Sequence, residues 1–210
     1  MVTLALLMAV VIGPARASLL KIGTADIAGV GTGYGLIYDS GTSLFWLDYT
    51  HSVDTWLNQV DWATSLVLTN VLTPGKTIQW TDPTWRLPTT VPAISGSNQT
   101  GSEMGRLYYT DLGIAASVGV NVDNQLPFKN ILSSRYWSGT ESASDSRNAW
   151  RFTTADGLQD AASKRGYLSA LAVRPGQLET SAVPEPSTYA LLCISLGVVG
   201  YARRKMGKQG

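Results

Sequence analysis

Thiols and imidazoles are almost absent from this chain. Among its 210 residues the one cysteine is Cys193, close to the C-terminus, and the one histidine is His51. The body of the chain can therefore form no disulfide and has no cysteine nucleophile. A metal site at His51 would lack the usual second imidazole, and no Gly-x-Ser-x-Gly motif supplies a serine nucleophile. We predict that His51 faces solvent.

Charge is also scarce. Charged side chains make up only 15% of the sequence, below the usual quarter. Between residues 18 and 183 there are eleven bases and fourteen acids, a net charge of −3. Binding to nucleic acid needs a clustered basic face that neutralises phosphates. The composition therefore predicts no nucleic-acid partner.

Glycine is plentiful near the start, but it does not form a nucleotide-binding pattern. Gly29, Gly31, Gly33 and Gly35 alternate strictly, so the third glycine of Gly-x-Gly-x-x-Gly is missing. No Lys-Ser or Lys-Thr follows to complete a phosphate-binding loop. We predict that residues 18–34 are a flexible glycine-rich lead-in.

The first residues have the pattern of a secretory signal peptide. An apolar run ends at Gly13 and Pro14 and is followed by Ala-Arg-Ala, a small-x-small cleavage sequence. No basic residue precedes the run, so either the amino terminus supplies the charge or translation starts further upstream. Residues 1–17 are predicted to be the signal peptide. The alternative is a buried N-terminal helix or strand.

An uncharged run near the other end is followed by a basic cluster. As a helix, residues 189–202 would span about 21 Å, whereas a bilayer core is about 30 Å thick. We predict a short transmembrane helix at about 188–202, with the following bases on the cytoplasmic side. Two prolines before it hold one glutamate on extended backbone. The residues of this predicted signal are Pro184, Glu185, Pro186, Arg203, Arg204 and Lys205.

This ending resembles the PEP-CTERM sorting signal of exopolysaccharide-producing Gram-negative bacteria, here over residues 184–208. The resemblance implies passage through the inner membrane and recognition by an exosortase-type membrane peptidase, which would cut near Glu185. It further implies delivery of the body to the cell surface or extracellular matrix. The alternative is a simple tail anchor, which also places the body outside.

The body shows local signals for both helices and strands. Ser40 to Ser43 form a four-residue turn between the apolar runs 36–39 and 44–47, which predicts a hairpin. Apolar residues at helical spacing predict a helix from Ser52 to about Leu72. A second helix is predicted at 102–112, and an ordered loop between the two. Strands are predicted at 136–138, 149–153 and 168–173, and a linker at 177–183.

Six motifs in the body occur in a fixed order: GLIYDSGTSLFWL, WRLPT, SEMGRLYYTDLG, YWSGTE, AWRF and AVRPG. Together they resemble the Lcl C-terminal domain family, a domain of unknown function, over residues 35–176. The resemblance implies an α+β, C-type-lectin-like fold in which two helices pack on a small antiparallel sheet with long loops. The matching positions include Trp85, Arg86, Pro88, Tyr136, Trp137, Ser138, Glu141, Trp150, Phe152, Arg174 and Pro175.

Most of these positions are predicted to be architectural. The aromatic residues can pin loops to the sheet through large buried areas. Arg86 and Arg174 can donate hydrogen bonds to loop carbonyls or to a carboxylate such as Glu141. The alternative is that the two arginines contact an anionic ligand.

No cofactor is predicted, and calcium is the one ion left open. Lectin-like folds can bind it through carboxylates and carbonyls, although the Glu-Pro-Asn, Gln-Pro-Asp and Trp-Asn-Asp triplets of sugar-binding lectins are absent. The candidate oxygen ligands are Asp123, Asn124, Glu141, Asp145, Asn148 and Asp156.

The function predicted from these features is that of a non-enzymatic surface or matrix protein. Its body would bind polysaccharide or a surface protein through loops that carry exposed tryptophan or tyrosine. One alternative is a structural component of the biofilm or envelope without specific glycan binding. Another is an enzyme that acts on polysaccharide through paired carboxylates.

Overall fold

The computed structural model describes residues 19–180, which fold mainly as β-strands. The strands are β1 Leu19–Ile27, β2 Gly31–Asp39, β3 Leu44–Asp48, β4 His51–Asp54, β5 Leu68–Leu72, β6 Lys76–Trp80, β7 Arg135–Glu141, β8 Asn148–Thr153, β9 Gln159–Ser163, β10 Leu168–Ala170 and β11 Val173–Thr180. Two helices are described: α1 is Trp56–Ser65, and α2 is Glu103–Arg106, which continues as the π-helical turn Leu107–Asp111.

The strands form two sheets. The first has the order β5-β1-β2-β3-β11-β6, and the second has the order β4-β10-β7-β8-β9. In the second sheet β10 and β7 are parallel, whereas β10 pairs with β4, and β8 with both β7 and β9, in antiparallel fashion. In the first sheet β5 and β6 are opposite edges, yet only residues 73–75 separate them. Such a connection spans at most about 15 Å, so the first sheet must curl.

Strand β3 is the centre of the core, because all five of its residues are buried. Side chains alternate between the faces of a strand, and both faces are covered here. Leu44 and Trp46 join one apolar cluster, while Phe45 and Leu47 join another. The first of these clusters also contains aromatic residues of β7 and β8, so the two sheets share a core.

Helix α1 packs on the second sheet through Ala63, which joins a cluster with the fully buried Trp137. One indole nitrogen joins β7 to β4 just before the helix, and a second joins helix α1 to β7. Nε1 of Trp137 donates to the Asp54 carbonyl at 3.2 Å, and Nε1 of Trp56 donates to the Ser138 carbonyl at 2.8 Å.

The predicted α+β, C-type-lectin-like architecture is wrong. Instead of two helices on one small sheet, the described residues form two sheets with eleven strands, and the longer helix has ten residues. Apolar residues four positions apart share one face of a helix, but they also share one face of a β-strand. The helical content was therefore overestimated.

The predicted helix from Ser52 to Leu72 illustrates the error. Only its middle is helical. His51–Asp54 forms β4, Thr55 precedes the helix with extended backbone, and Leu66 leaves it with extended backbone. Residues 68–72 pair with β1 as an edge strand. The valines that suggested a helical face are exposed at the surface, Val67 at 58% and Val71 at 42%.

The second helix and the hairpin were predicted correctly. The side chain of Ser102 accepts a hydrogen bond from Gly105 N at the start of α2, and the helical segment stops before Gly113, where φ is +67°. Strands β2 and β3 flank the predicted four-residue turn. Asp39 accepts bonds from Gly41 N and from the Thr42 hydroxyl within that turn.

Two other predictions are corrected by the strand pairing. Residues 19–34 are not a flexible lead-in, because they form β1 and the first part of β2, which pair along their length. Part of the predicted linker, residues 177–180, belongs to β11. The first part of β2 was missed because its alternating glycines lack the β-branched and aromatic side chains that indicate a strand in a sequence.

The predicted signal peptide (1–17), the transmembrane helix at about 188–202 and the sorting residues lie outside the described residues. Within 19–180, no helix has the length and apolar character needed to cross a membrane.

Candidate functional site

A groove with a cavity volume of about 400 Å³ lies at one end of the second sheet. It combines an exposed aromatic ring with polar side chains. Its lining includes Val53, Ser133, Arg135, Thr153, Asp156 and Tyr167.

The parallel pair in the second sheet builds this groove. Strand β7 begins at Arg135 and strand β10 begins at Leu168, and both residues line the groove. Parallel strands start at the same edge of a sheet, so their first residues lie near each other. Thr153, the last residue of β8, pairs with Arg135 in the antiparallel register and closes the same edge.

Tyr167 is presented by a tight turn. The Gly166 amide donates to the Ser163 carbonyl at 2.8 Å, which closes the turn between β9 and β10. The next residue, Tyr167, is 67% exposed. Its hydroxyl has no hydrogen-bond partner among residues 19–180. An exposed ring at the rim of a groove is available to an incoming ligand.

The lining of the groove offers several unused polar atoms. Within the described part of the chain, the hydroxyls of Ser133 and Thr153 and the guanidinium of Arg135 make no hydrogen bond. Asp156 accepts from Leu158 N through Oδ1 at 2.9 Å, which leaves Oδ2 without a described partner. These groups can donate to and accept from a polyhydroxylated ligand.

The wall behind these groups is held by Thr154. Its hydroxyl donates to the Leu132 carbonyl at 2.6 Å and accepts from Ser134 N at 2.9 Å. Its amide donates to the Ser134 carbonyl at 2.8 Å. Thr154 is 2% exposed. The chain before β7 and the chain after β8 are therefore fixed to each other, and the groove is formed before any ligand arrives.

A buried cluster of charges lies apart from the lining of this groove. Arg106 Nε lies 3.8 Å from Asp39 and 3.7 Å from Asp111, and both carboxylate side chains are only 2% exposed. Burial, together with the neighbouring Asp39, raises the pKa of Asp111 to about 6, and Arg106 opposes this rise. Asp39 also holds its turn together through hydrogen bonds, so the cluster is built into the fold.

The aromatic positions of the Lcl resemblance lie inside the molecule. Trp85, Tyr136, Trp137 and Phe152 are each at most 2% exposed, and Trp150 is 7% exposed. The Tyr136 hydroxyl accepts from Leu132 N at 2.8 Å. The signature positions Pro88 and Ser138 are buried as well. These residues therefore pack the core and do not line the groove.

The two signature arginines do not pair with Glu141. Arg86 forms a two-point ion pair with Glu103. Arg174 lies over the Trp80 ring at 4.3 Å and donates to the Asp82 carbonyl at 2.8 Å, beside Pro175 of β11. Both arginines therefore act within the fold.

Glu141, the carboxylate that was predicted to pair with these arginines, contacts other residues. Glu141 forms an ion pair with Lys164, which in turn lies over the Trp56 ring. This group links β7 to helix α1 and to the turn after β9.

The prediction that His51 faces solvent is wrong. Its ring stacks on Trp62 with centroids 4.3 Å apart and an angle of 13° between the planes. Nδ1 of His51 lies 2.7 Å from Oε1 of the fully buried Gln59. Because β4 precedes helix α1 directly, the histidine is turned onto the helix.

The calcium candidates are dispersed. Asp145 is bound by Arg147 at 2.9 Å, and Asn148 approaches the same carboxylate at 3.4 Å. Asn124 hydrogen-bonds its own loop, where Asp123 also lies, through Asn121 N and the Gly119 carbonyl. In residues 19–180, no group of three or more His, Cys, Asp or Glu side chains is placed to hold a metal ion.

Sequence reasoning missed most of the groove. Of its lining, only Asp156 was among the candidate residues. Arg135 and Tyr167 are 32 residues apart in the sequence, and they meet only because β7 and β10 are parallel neighbours. The one local signal for Tyr167 was its place after Lys-Arg-Gly, a turn sequence between two strands.

Comparison with known families gives one match: the PEP-CTERM protein-sorting motif matches residues 182–205. No curated protein matches the chain, and no solved structure does, so the Lcl resemblance of the body remains a prediction that no relative supports. The matched segment contains Pro184, Glu185 and Pro186 and ends with the basic cluster. The motif marks the chain as an exosortase-sorted protein that is exported and associated with the cell surface.

Proposed function

We propose that the body of this exported protein is a non-catalytic module that binds polysaccharide in the groove beside Tyr167. In this proposal the protein works at the surface or in the extracellular matrix of a Gram-negative bacterium. The observation that carries the proposal is the 67% exposed ring of Tyr167 at the rim of a groove lined by unpaired polar groups.

Sugar chemistry suits this combination. The C–H-rich face of a sugar ring loses little when it is desolvated against an aromatic ring, and tyrosine fixes it at a low entropic cost. The hydroxyls of Ser133 and Thr153 and the free oxygen of Asp156 can then bond sugar hydroxyls.

The placement of the acids in residues 19–180 favours binding over hydrolysis. Glycoside hydrolysis uses two carboxyl groups on either side of the scissile bond. Among the described lining residues Asp156 is the single acid. The closely spaced acids Asp39 and Asp111 are buried and share Arg106, so a polymer cannot reach them.

The test is retention of the full chain on exopolysaccharide from its own host, measured with calcium and with a chelator. Tyr167→Ala is expected to lower the affinity about tenfold, which corresponds to about 1.4 kcal/mol. Leu57→Ala is the matched control, because Leu57 is 59% exposed on helix α1 and does not line the groove. Equal retention of both variants, or no retention of the wild type, would overturn the proposal. Self-association without any glycan dependence would favour a structural component instead.

A further inference from the structure

We infer that the polysaccharide taken by this groove is acidic, and that a uronate carboxylate binds Arg135. The inference rests on the proposed function and names the class of ligand for the same groove.

The pairing of the arginines carries the inference. Arg86, Arg106, Arg147, Arg151 and Arg174 each contact an acid or a carbonyl within the fold. The guanidiniums of the other two described arginines, Arg135 and Arg165, have no partner in residues 19–180.

Both unpaired arginines are placed at or next to the groove. Arg135 lines it at the first position of β7. Arg165 lies in the turn that presents Tyr167, two residues before it, and is exposed. A polymer that stacks on Tyr167 would therefore pass close to one free guanidinium and approach a second.

The backbone of Arg135 is also fixed in the sheet. Its neighbour Tyr136 is 1% exposed and anchored by hydrogen bonds, and Arg135 itself pairs with Thr153 across the sheet. A guanidinium presents parallel N–H donors that match the two oxygens of a carboxylate. A fixed backbone lowers the entropy lost when that geometry forms.

The acid of the same groove, Asp156, carries a negative charge that Arg135 must outweigh for the groove to prefer an anion. Asp156 is tied through Oδ1 to its own turn, and its remaining oxygen suits a sugar hydroxyl. Residues 18–183 carry a net charge of −3, so general attraction to anions is absent. A preference for an acidic polymer must therefore be local, and Arg135 is the one basic residue in the described lining of the groove.

The decisive probe is a matched pair of polymers: polygalacturonate and the same polymer with its carboxylates methyl-esterified. Their affinities for the full chain are measured by affinity electrophoresis. The wild type is expected to bind the acid form at least tenfold more tightly than the ester. Arg135→Gln is expected to reduce this ratio to below twofold, because it weakens binding of the acid form more than binding of the ester.

Two controls separate the causes. Arg147→Gln removes the same charge outside the groove, where the side chain is 87% exposed and paired with Asp145, and should keep the tenfold ratio. Tyr167→Ala should weaken both polymers by a similar factor and so keep the ratio as well.

The outcomes distinguish the two proposals. If the wild type binds acid and ester equally, or if Arg135→Gln keeps the preference, the acidic class is wrong while the binding function stands. If neither polymer nor the host's own exopolysaccharide binds, the proposed function itself fails. Loss of preference in Arg147→Gln as well would show general charge attraction and would overturn the role of Arg135.

Discussion

Arg86 holds Glu103 at two points, with Nη1 at 2.7 Å from Oε2 and Nη2 at 2.8 Å from Oε1. The same carboxylate accepts from Thr89 N at 2.7 Å. Because Arg86 also pairs through its backbone with Val173 of β11, this contact joins the first turn of helix α2 to strand β11 of the first sheet.

We therefore expect Glu103→Gln to destabilise the protein. The two side chains are 31% and 20% exposed, so the loss lies between that of a surface pair and that of a buried pair, about 1–3 kcal/mol. Urea unfolding monitored by tryptophan fluorescence measures it. Arg147→Gln, which breaks an exposed pair, should change stability much less. Equal effects of the two variants would contradict this account.

Asp111 should make stability fall as the pH rises from about 4 to 6. Its pKa is raised from 3.8 to about 6 by burial and by the neighbouring Asp39. The folded state therefore holds this proton more tightly than the unfolded state, so its contribution is complete below pH 4 and lost above pH 6. The loss is at most about 3 kcal/mol, at about 1.4 kcal/mol per pH unit.

The measurement is unfolding in urea at several pH values, with Asp111→Asn beside the wild type. Asp26, Asp54 and Asp145 have pKa values lowered mainly by side-chain hydrogen bonds, and they contribute the opposite slope. The informative quantity is therefore the difference between wild type and variant. That difference should grow in favour of Asp111→Asn between pH 4 and 6. A difference that does not change with pH would refute the assignment.

How much could be predicted depended on whether a feature was local. The β2–β3 hairpin was predicted because a four-residue turn joins two apolar runs. Helix α2 was predicted because Met104, Leu107 and Tyr108 are spaced to share one helical face and Gly113 follows as a stop. Helix α1 was drawn too long because Val67 and Val71 are four apart, a spacing that an exposed edge strand also permits. The pairing of β7 with β10, which creates the groove, joins distant segments and leaves no local signal.

Gly23 occupies a position where the sheet has no room for a side chain. A Cβ there would lie 1.9 Å from the Leu72 carbonyl oxygen and 2.9 Å from its carbon. Both atoms belong to backbone, so Gly23→Ala must displace β5 from β1, and we expect a loss above about 3 kcal/mol. Gly29→Ala is the control: φ is +75° there, but nothing lies within 4 Å, so only a backbone cost of about 1–2 kcal/mol applies. If Gly23→Ala lowers the free energy of unfolding less than Gly29→Ala does, then β5 can move away from β1 at little cost and this account is wrong.

The sorting motif leads to a prediction about processing in the native host. The matched segment contains Pro184, Glu185 and Pro186. Replacing these three residues together by alanine removes the prolines and the charge of the motif, and should leave the chain uncleaved. Immunoblots of cell envelope and culture medium would then show one larger, cell-bound form in place of the processed one. Glu179→Ala is the control. It changes a single acid in β11, upstream of the matched segment, and should be processed normally. Normal processing of the triple variant would mean that recognition does not depend on this motif.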